Sequence, residues 1–252
     1  MEAIFRKKYT VHVSDIDFKR NLKLSSLFIY LQDMATEHAY NIGVGRDALQ
    51  ARYGIIWVLN RAAVEIIRYP VFKEEIAIET WPEQPDKVQF NRNFLIYDKD
   101  ENIIAKAFSQ WVVIDYNTRK LRRSSIIEEE FPKVDRERPL TLSDDKIKPI
   151  GNLDLIYEKT VGYSDIDINE HLNNAKYIDY IMDCFSINLH KKYNISSIQI
   201  DYLHEALPGE TIKLYTDTAG VKDNYAYIEG INENTSSTIF KARITFLQEG
   251  NR

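Results

Sequence analysis

Apolar positions along the chain predict the same series of elements twice. In the first half, a strand at 3–13 precedes a long helix whose apolar residues, from Leu24 to Ile42, follow three- and four-residue steps. A second short helix is expected at 46–52. Four strands should follow, at 55–68, 75–82, 88–97 and 102–115. In the second half we expect a strand at 153–163, a helix from Asn174 to about Lys191, and strands at 195–203, 210–216, 224–230 and 238–247.

The two halves also align in sequence. Residues 14–34 match 164–184 without a gap, with 7 identities in 21 positions, and the offset then falls to 136, which places Val64 on Ile200. We interpret the chain as a tandem duplication. An antiparallel meander wrapped around one long central helix is the hotdog arrangement, so the predicted fold is an α+β double (tandem) hotdog. The expected domains are an N-terminal hotdog at 1–115, a linker at 116–150 and a C-terminal hotdog at 151–252.

A polar cluster marks the second half. Asp167, Asn169 and His171 are spaced by two, so an extended backbone would direct all three side chains to one side. Asn173 or Asn174 can then cap the following helix, which places the cluster at a helix entrance. The first half has Lys19 and Asn21 at the positions of Asn169 and His171. We therefore expect the second half to carry the chemistry and the first to hold substrate.

Composition excludes several classes of function. A formal net charge of −5 gives no support to nucleic acid or an anionic membrane as the main partner, although local basic patches remain compatible with it. The single cysteine cannot form an internal disulfide, and no metal-ligand spacing occurs, so we expect no metal. The N-terminus lacks a signal-peptide pattern and no apolar window is long enough to span a bilayer. These features predict a cytoplasmic protein.

The stretch from Asp165 to Ile178 resembles the D-x-D-x-N-x-H-x-N-N-x-K-Y-I signature of the acyl-(acyl carrier protein) thioesterases, the plant plastid and bacterial family. The downstream segment 201–206 is similar to that family's E-Y-x-x-E-C segment. The resemblance implies hydrolysis of the thioester between a fatty acyl chain and acyl carrier protein (ACP), without a cofactor. It also implies that the catalytic positions are Asp167, Asn169, His171 and Glu205.

These residue types suit thioester hydrolysis, which needs a proton carrier, a group to orient water and donors for the developing oxyanion. The family pattern has a cysteine after the glutamate, where this chain has Ala206. The only thiol, Cys184, lies within the predicted helix and is expected to be a core residue. Water attack assisted by Glu205 or Asp167 is therefore expected, with the choice between the two carboxylates open. Asp167 has an alternative role, which is to brace a turn as Asp17 would in the first copy.

Substrate contacts are expected mainly in the first half. An apolar slot for the acyl chain has five candidates, each of which is also a plausible core residue: Trp57, Leu59, Leu27, Phe28 and Leu31. The basic residues Arg119, Arg122 and Arg123 are candidates for docking the carrier protein, which is acidic in the family, and the alternative is a solvated charge run.

Three other functions compete with this interpretation. An acyl-CoA thioesterase is the nearest, a hotdog dehydratase or hydratase is disfavoured by the Asp-Asn-His cluster, and the third is a non-catalytic acyl-thioester-binding hotdog protein. The sequence leaves the acyl chain length, the saturation preference and the oligomeric state open, a homodimer included.

Overall fold

The computed structural model describes residues 2–140, 147–217 and 224–248. The chain divides into two compact units, residues 1–141 and 142–252. Residues 141–146 of the predicted linker lie outside the described residues, as do residue 1 and residues 249–252 at the ends of the predicted domains.

The first unit is a five-stranded antiparallel sheet with two helices. Its helices are α1 (Leu24–Asn41) and α2 (Arg46–Tyr53), and its strands are β1 (Phe5–Thr10), β2 (Ile55–Ile66), β3 (Glu75–Pro82), β4 (Phe90–Tyr97) and β5 (Ile103–Asp115). The strand order is β1-β3-β4-β5-β2, and every neighbouring pair is antiparallel. Gly43, with a φ of 82°, follows the end of α1, as the sequence predicted.

The apolar stripe of α1 forms the core of this unit. Leu27, Phe28, Leu31 and Met34 are all buried. The helix also contacts β1 through Tyr30, whose ring stacks on that of Tyr9 at 4.5 Å between centroids. Burying such side chains stabilises the unit by roughly 1.5–3 kcal/mol each, so the helix is held by packing on the sheet.

Part of the predicted linker belongs to the first unit. Two short 3₁₀ helices, Ser124–Ile126 and Glu128–Glu130, are followed by buried Phe131. Ile127 and Phe131 pack with Phe90 of β4 in one apolar cluster. Residues 126–131 therefore do not form a solvated spacer, because Ile127 and Phe131 complete this cluster of the first unit.

The second unit repeats this plan. Its helices are α3 (Asn174–Asp183) and α4 (Ile187–Lys192), and its strands are β6 (Asp154–Thr160), β7 (Tyr193–Tyr202), β8 (Thr211–Asp217), β9 (Tyr225–Asn232) and β10 (Thr238–Gln248). Its order is β7-β10-β9-β8-β6. Under the duplication, this is the same order as in the first unit, so the predicted double hotdog is confirmed.

The single helix predicted from Asn174 to Lys191 is wrong. The helix ends at Asp183, and α4 begins after Ser186, whose hydroxyl accepts a hydrogen bond from the Leu189 N–H at 3.3 Å. A serine at an N-cap competes with continuation of the preceding helix. Because the apolar spacing continues across the break between α3 and α4, the sequence pattern did not indicate it. None of the helices in the described part of the chain has the length and apolar character needed to cross a membrane.

Candidate active site

The polar cluster lies on a tight turn. Ile166 and Leu172 form an antiparallel bridge, and the Asp167 N–H donates to the His171 carbonyl at 2.9 Å. Glu170 adopts a left-handed backbone with a φ of 60°. The extended backbone predicted for residues 167–171 is therefore wrong. The alternating pattern arose from a turn, in which Ile168 at the tip is 80% exposed.

Asp167 holds this turn together. Its Oδ1 accepts the backbone N–H of Asn169 at 2.7 Å, and its Oδ2 lies 3.4 Å from the Asn169 side-chain amide nitrogen. Such side-chain to backbone hydrogen bonds are typical of aspartate in turns. Asp167 and Asn169 are therefore in direct contact, and the carboxylate fixes the position of the amide.

The turn leads directly into α3, as the sequence predicted. The Asn173 side chain accepts a hydrogen bond from the Ala175 N–H at 2.8 Å and is the N-cap. Asn174 is the first helical residue, and its carbonyl accepts a hydrogen bond from the Tyr202 hydroxyl at 3.1 Å. The polar turn consequently lies at the positive end of a helix dipole.

A second loop brings the glutamate to the histidine. The Leu172 N–H donates to the Ala206 carbonyl at 2.9 Å, which joins the turn to the loop that follows β7. As a result, His171 Nδ1 lies 3.4 Å from Glu205 Oε1. Both side chains are partly accessible, with relative exposures of 25% and 37%. This pair combines an imidazole, which can carry a proton, with a carboxylate that can orient the imidazole or a water molecule.

Tyr177 of α3 lies near Glu205 and Asp167 and was missed by the sequence reasoning. Its buried ring makes edge contacts with Tyr202 at 5.3 Å and Phe240 at 5.5 Å. Burial raises the pKa of Tyr177, and the charges of Glu205 and Asp167 raise it further. The phenol thus stays protonated within electrostatic reach of both carboxylates. The available signal was its place inside the motif, one turn of helix after the cap.

The first unit contains the same turn without the same chemistry. Asp17 Oδ1 accepts the N–H groups of Lys19 at 2.8 Å and Asn21 at 3.0 Å, and the Asp17 N–H donates to the Asn21 carbonyl at 2.8 Å. The bracing role weighed for Asp167 is therefore present in both copies. At the position of His171 the first unit has Asn21, and at that of Glu205 it has Tyr69.

Cys184 is a core residue, as expected. It is buried at the end of α3, and its Sγ lies 3.4 Å from the Tyr180 carbonyl oxygen. Burial raises the pKa of the Cys184 thiol to about 12. Since the thiolate is the nucleophilic form, this sulfur is poorly suited to covalent catalysis.

The five residues predicted to hold the acyl chain lie in the first unit. Leu27, Phe28, Leu31 and Leu59 are buried. Trp57 is partly buried, donates from Nε1 to the Val44 carbonyl at 2.9 Å and makes an edge contact with Phe90 at 4.8 Å. Their packing matches the core role that was weighed beside the acyl-binding role.

The predicted basic cluster lies just after β5. Arg122 Nη1 forms an ion pair with Asp115 Oδ2 at 3.0 Å, and Arg119 occupies the intervening turn with a φ of 58°. The pairing reduces the charge that Arg122 presents to a partner. Among the described residues, no group of three or more His, Cys, Asp and Glu is arranged to hold a metal ion.

The fold and this site define a class: a tandem hotdog protein in which the second unit alone carries the histidine–glutamate pair. Two family models match the chain, the acyl-ACP thioesterase N-terminal domain over residues 2–133 and the acyl-ACP thioesterase C-terminal domain over residues 153–248. The chain belongs to the acyl-ACP thioesterase family. The resemblance seen in the sequence is thereby confirmed.

Relatives and solved structures agree with this assignment. The chain is 25% identical over 228 residues to the chloroplastic oleoyl-ACP thioesterase of Coriandrum sativum, with 84% of this chain and 62% of that protein covered. An acyl-ACP thioesterase from Bacteroides thetaiotaomicron matches with a TM-score of 0.88 and 28% identity, covering 97% of this chain and 98% of the other. The 12:0-ACP thioesterase from Umbellularia californica shares the fold, with a TM-score of 0.83, 21% identity and 99% of each chain covered. The chain spans about three fifths of the length of the coriander protein.

Proposed function

We propose that this protein hydrolyses the thioester of fatty acyl-ACP to a free fatty acid and ACP. The observation that carries the proposal is the contact between His171 and Glu205, 3.4 Å apart beside the N-terminus of α3. The family assignment supports the same reaction. The cytoplasmic location and the homodimer stay predictions, and the coriander relative is chloroplastic.

In the proposed reaction, a water molecule attacks the thioester carbonyl. Glu205 and His171 orient the water and take up its proton as the new C–O bond forms. The Asn169 amide and the N-terminal end of α3 stabilise the negative charge on the carbonyl oxygen. When the C–S bond breaks, the proton passes to the leaving sulfur of the carrier's prosthetic group. We assign Asp167 to positioning Asn169, because its Oδ1 is engaged by the backbone of the turn.

The acyl chain is proposed to be held by the first unit, through Trp57, Leu59, Leu27, Phe28 and Leu31. Substitution of Leu31 by Trp at a position that is 7% exposed should overfill the packing there. If an acyl chain occupies this region, the preferred chain length should shift toward shorter substrates. An unchanged chain-length profile would argue for a purely structural role.

The test is a hydrolysis assay on a series of acyl-ACP thioesters and on the matching acyl-CoA thioesters. His171→Ala and Glu205→Gln should each lower kcat by about 10²–10⁴-fold, the range typical of a lost acid–base group. His204→Ala is the matched control, because it removes an exposed histidine next to Glu205 in the sequence, whose Nδ1 lies 2.7 Å from the Thr238 carbonyl oxygen and which has no role in the proposed reaction. Near-normal rates in both site variants would refute the proposal. Faster turnover of acyl-CoA than of acyl-ACP substrates would indicate an acyl-CoA thioesterase. Binding of acyl thioesters without turnover would indicate a non-catalytic acyl-thioester-binding protein.

A further inference from the structure

The first unit retains both loops of the candidate site with a different charge. Four cations there replace residues that are neutral or acidic in the second unit. Lys19, Arg20, Lys23 and Lys73 stand at the positions of Asn169, Glu170, Asn173 and Gly209, respectively. Since the whole chain has a net charge of −5, this is a local reversal of sign.

The two loops are joined, so their charges lie together. Asn21 and Val71 form an antiparallel bridge, and the Phe72 N–H donates to the Arg20 carbonyl at 3.1 Å. Two cations contact the Phe72 ring: the Arg20 guanidinium lies 5.5 Å and the Lys73 ammonium 5.4 Å from its centroid. These cation–π contacts keep both charges at one place on the surface.

Exposed apolar side chains accompany the cations. Phe18 is 55% exposed at the tip of the turn and Val71 is 45% exposed on the joined loop. Their counterparts in the second unit, Ile168 and Leu207, are also exposed. Both copies therefore have exposed apolar side chains on these two loops, whereas the second alone has the histidine–glutamate pair. In the second unit, Ile168 and Leu207 lie on the same two loops as His171 and Glu205, where the proposed reaction requires a carrier-bound thioester to bind.

We propose that Phe18, Arg20, Val71 and Lys73 form a docking surface, the basic rim, for an acidic face of the carrier protein. This proposal rests on the proposed function, which supplies the carrier as a partner. The basic rim fits a helix or loop that presents carboxylates around one apolar side chain. The first unit lacks the acid–base pair that the chemistry needs. It keeps the exposed apolar side chains and has additional cations, which are the features needed for binding.

The test measures binding of a holo acyl carrier protein to the full chain by calorimetry. Arg20→Glu/Lys73→Glu should raise Kd by about tenfold at low salt, and the effect should shrink as salt screens the charges. The matched control is Lys87→Glu/Lys99→Glu, which makes the same change in net charge at exposed turn positions of the same unit. It should change Kd by less than about twofold.

Two further variants keep the test decisive if the charge reversal destabilises the loops. Arg20→Gln/Lys73→Gln removes the charge without introducing repulsion, and Phe18→Ser removes an exposed apolar side chain. Both should weaken binding while thermal unfolding stays close to wild type. Equal weakening by the control pair would overturn the proposal, as would unchanged binding in the Arg20/Lys73 variants.

Two rival surfaces have their own outcomes. If Arg119→Glu/Arg123→Glu weakens carrier binding and Arg20→Glu/Lys73→Glu does not, the cluster after β5 is the docking site and the basic rim is not. If the Arg20/Lys73 variants bind the carrier protein as wild type does but no longer bind vesicles that contain phosphatidylglycerol, the partner of this surface is a lipid surface and the docking proposal is overturned. A wild-type protein that hydrolyses no thioester refutes the proposed function, while the carrier titration still decides the docking proposal.

Discussion

A buried histidine in the first unit should make the protein sensitive to mild acid. His38 on α1 is 0% exposed, and its Nδ1 lies 2.9 Å from Arg92 Nη1, while its Nε2 lies 3.0 Å from the Glu2 carbonyl oxygen. A guanidinium can only donate, so Nδ1 accepts and the proton resides on Nε2, which donates to Glu2. The ring is therefore neutral in the folded protein.

Burial, together with the nearby charge of Arg92, lowers the pKa of His38 from 6.5 to about 4. As the pH falls, the unfolded chain takes up a proton near 6.5, whereas the folded ring stays neutral until about 4. The unfolded state is thus favoured progressively across this window. A difference of about 2.5 units corresponds to roughly 3 kcal/mol at most, and about 2 kcal/mol of it should be lost by pH 5.

The assay is urea unfolding at pH 7, 6 and 5. The other groups that titrate in this range are the same in wild type and in His38→Asn, so the difference between the two proteins isolates His38. In His38→Asn, the side-chain oxygen can still accept from Arg92 but does not titrate, so this variant should lose much less stability between pH 7 and 5. His12→Asn, at an exposed position, controls for removal of a histidine. If wild type and His38→Asn show the same loss, the proposed role of His38 is incorrect.

Three further predictions concern the second unit and its duplicated turn. Cys184→Ala should keep thioester turnover, and thiol reagents should modify the folded wild type slowly, since the thiol is buried and its pKa is raised to about 12; rapid inactivation by such reagents would contradict this. In Gly230→Ala the new Cβ would overlap the Phe240 ring, so we expect a loss of about 1–3 kcal/mol in urea unfolding; wild-type stability would show that the ring can move at no cost. Asp17→Ala and Asp167→Ala should each lower stability by about 0.5–2 kcal/mol, as measured in the same way, because each removes an acceptor for backbone N–H groups. Loss in only one of them would show that the two turns are not equivalent.

The sequence predicted elements best where one periodicity ran without interruption. Helix α1 and strand β3 match the predicted bounds closely because an apolar stripe and an alternating pattern each continued to a clear stop. Prediction from the sequence failed where a short polar feature, such as a helix cap or an aspartate turn, determined the backbone in place of the apolar periodicity. At Ser186 a cap divided one apolar stripe into two helices, and at residues 167–171 an aspartate turn produced an alternation typical of a strand.

The sequence by itself determined the duplication, the position of the polar cluster at the start of α3 and the loss of its counterpart in the first half. These are local or repeated sequence patterns, which can be recognised without knowing which distant residues are in contact. Only the tertiary structure decided which groups meet. Glu205 reaches His171 because the Leu172 N–H binds the Ala206 carbonyl, and the Tyr177 ring, packed on Tyr202 and Phe240, lies near the Glu205 carboxylate. Such contacts join residues distant in the chain, and no periodicity along the sequence specifies them.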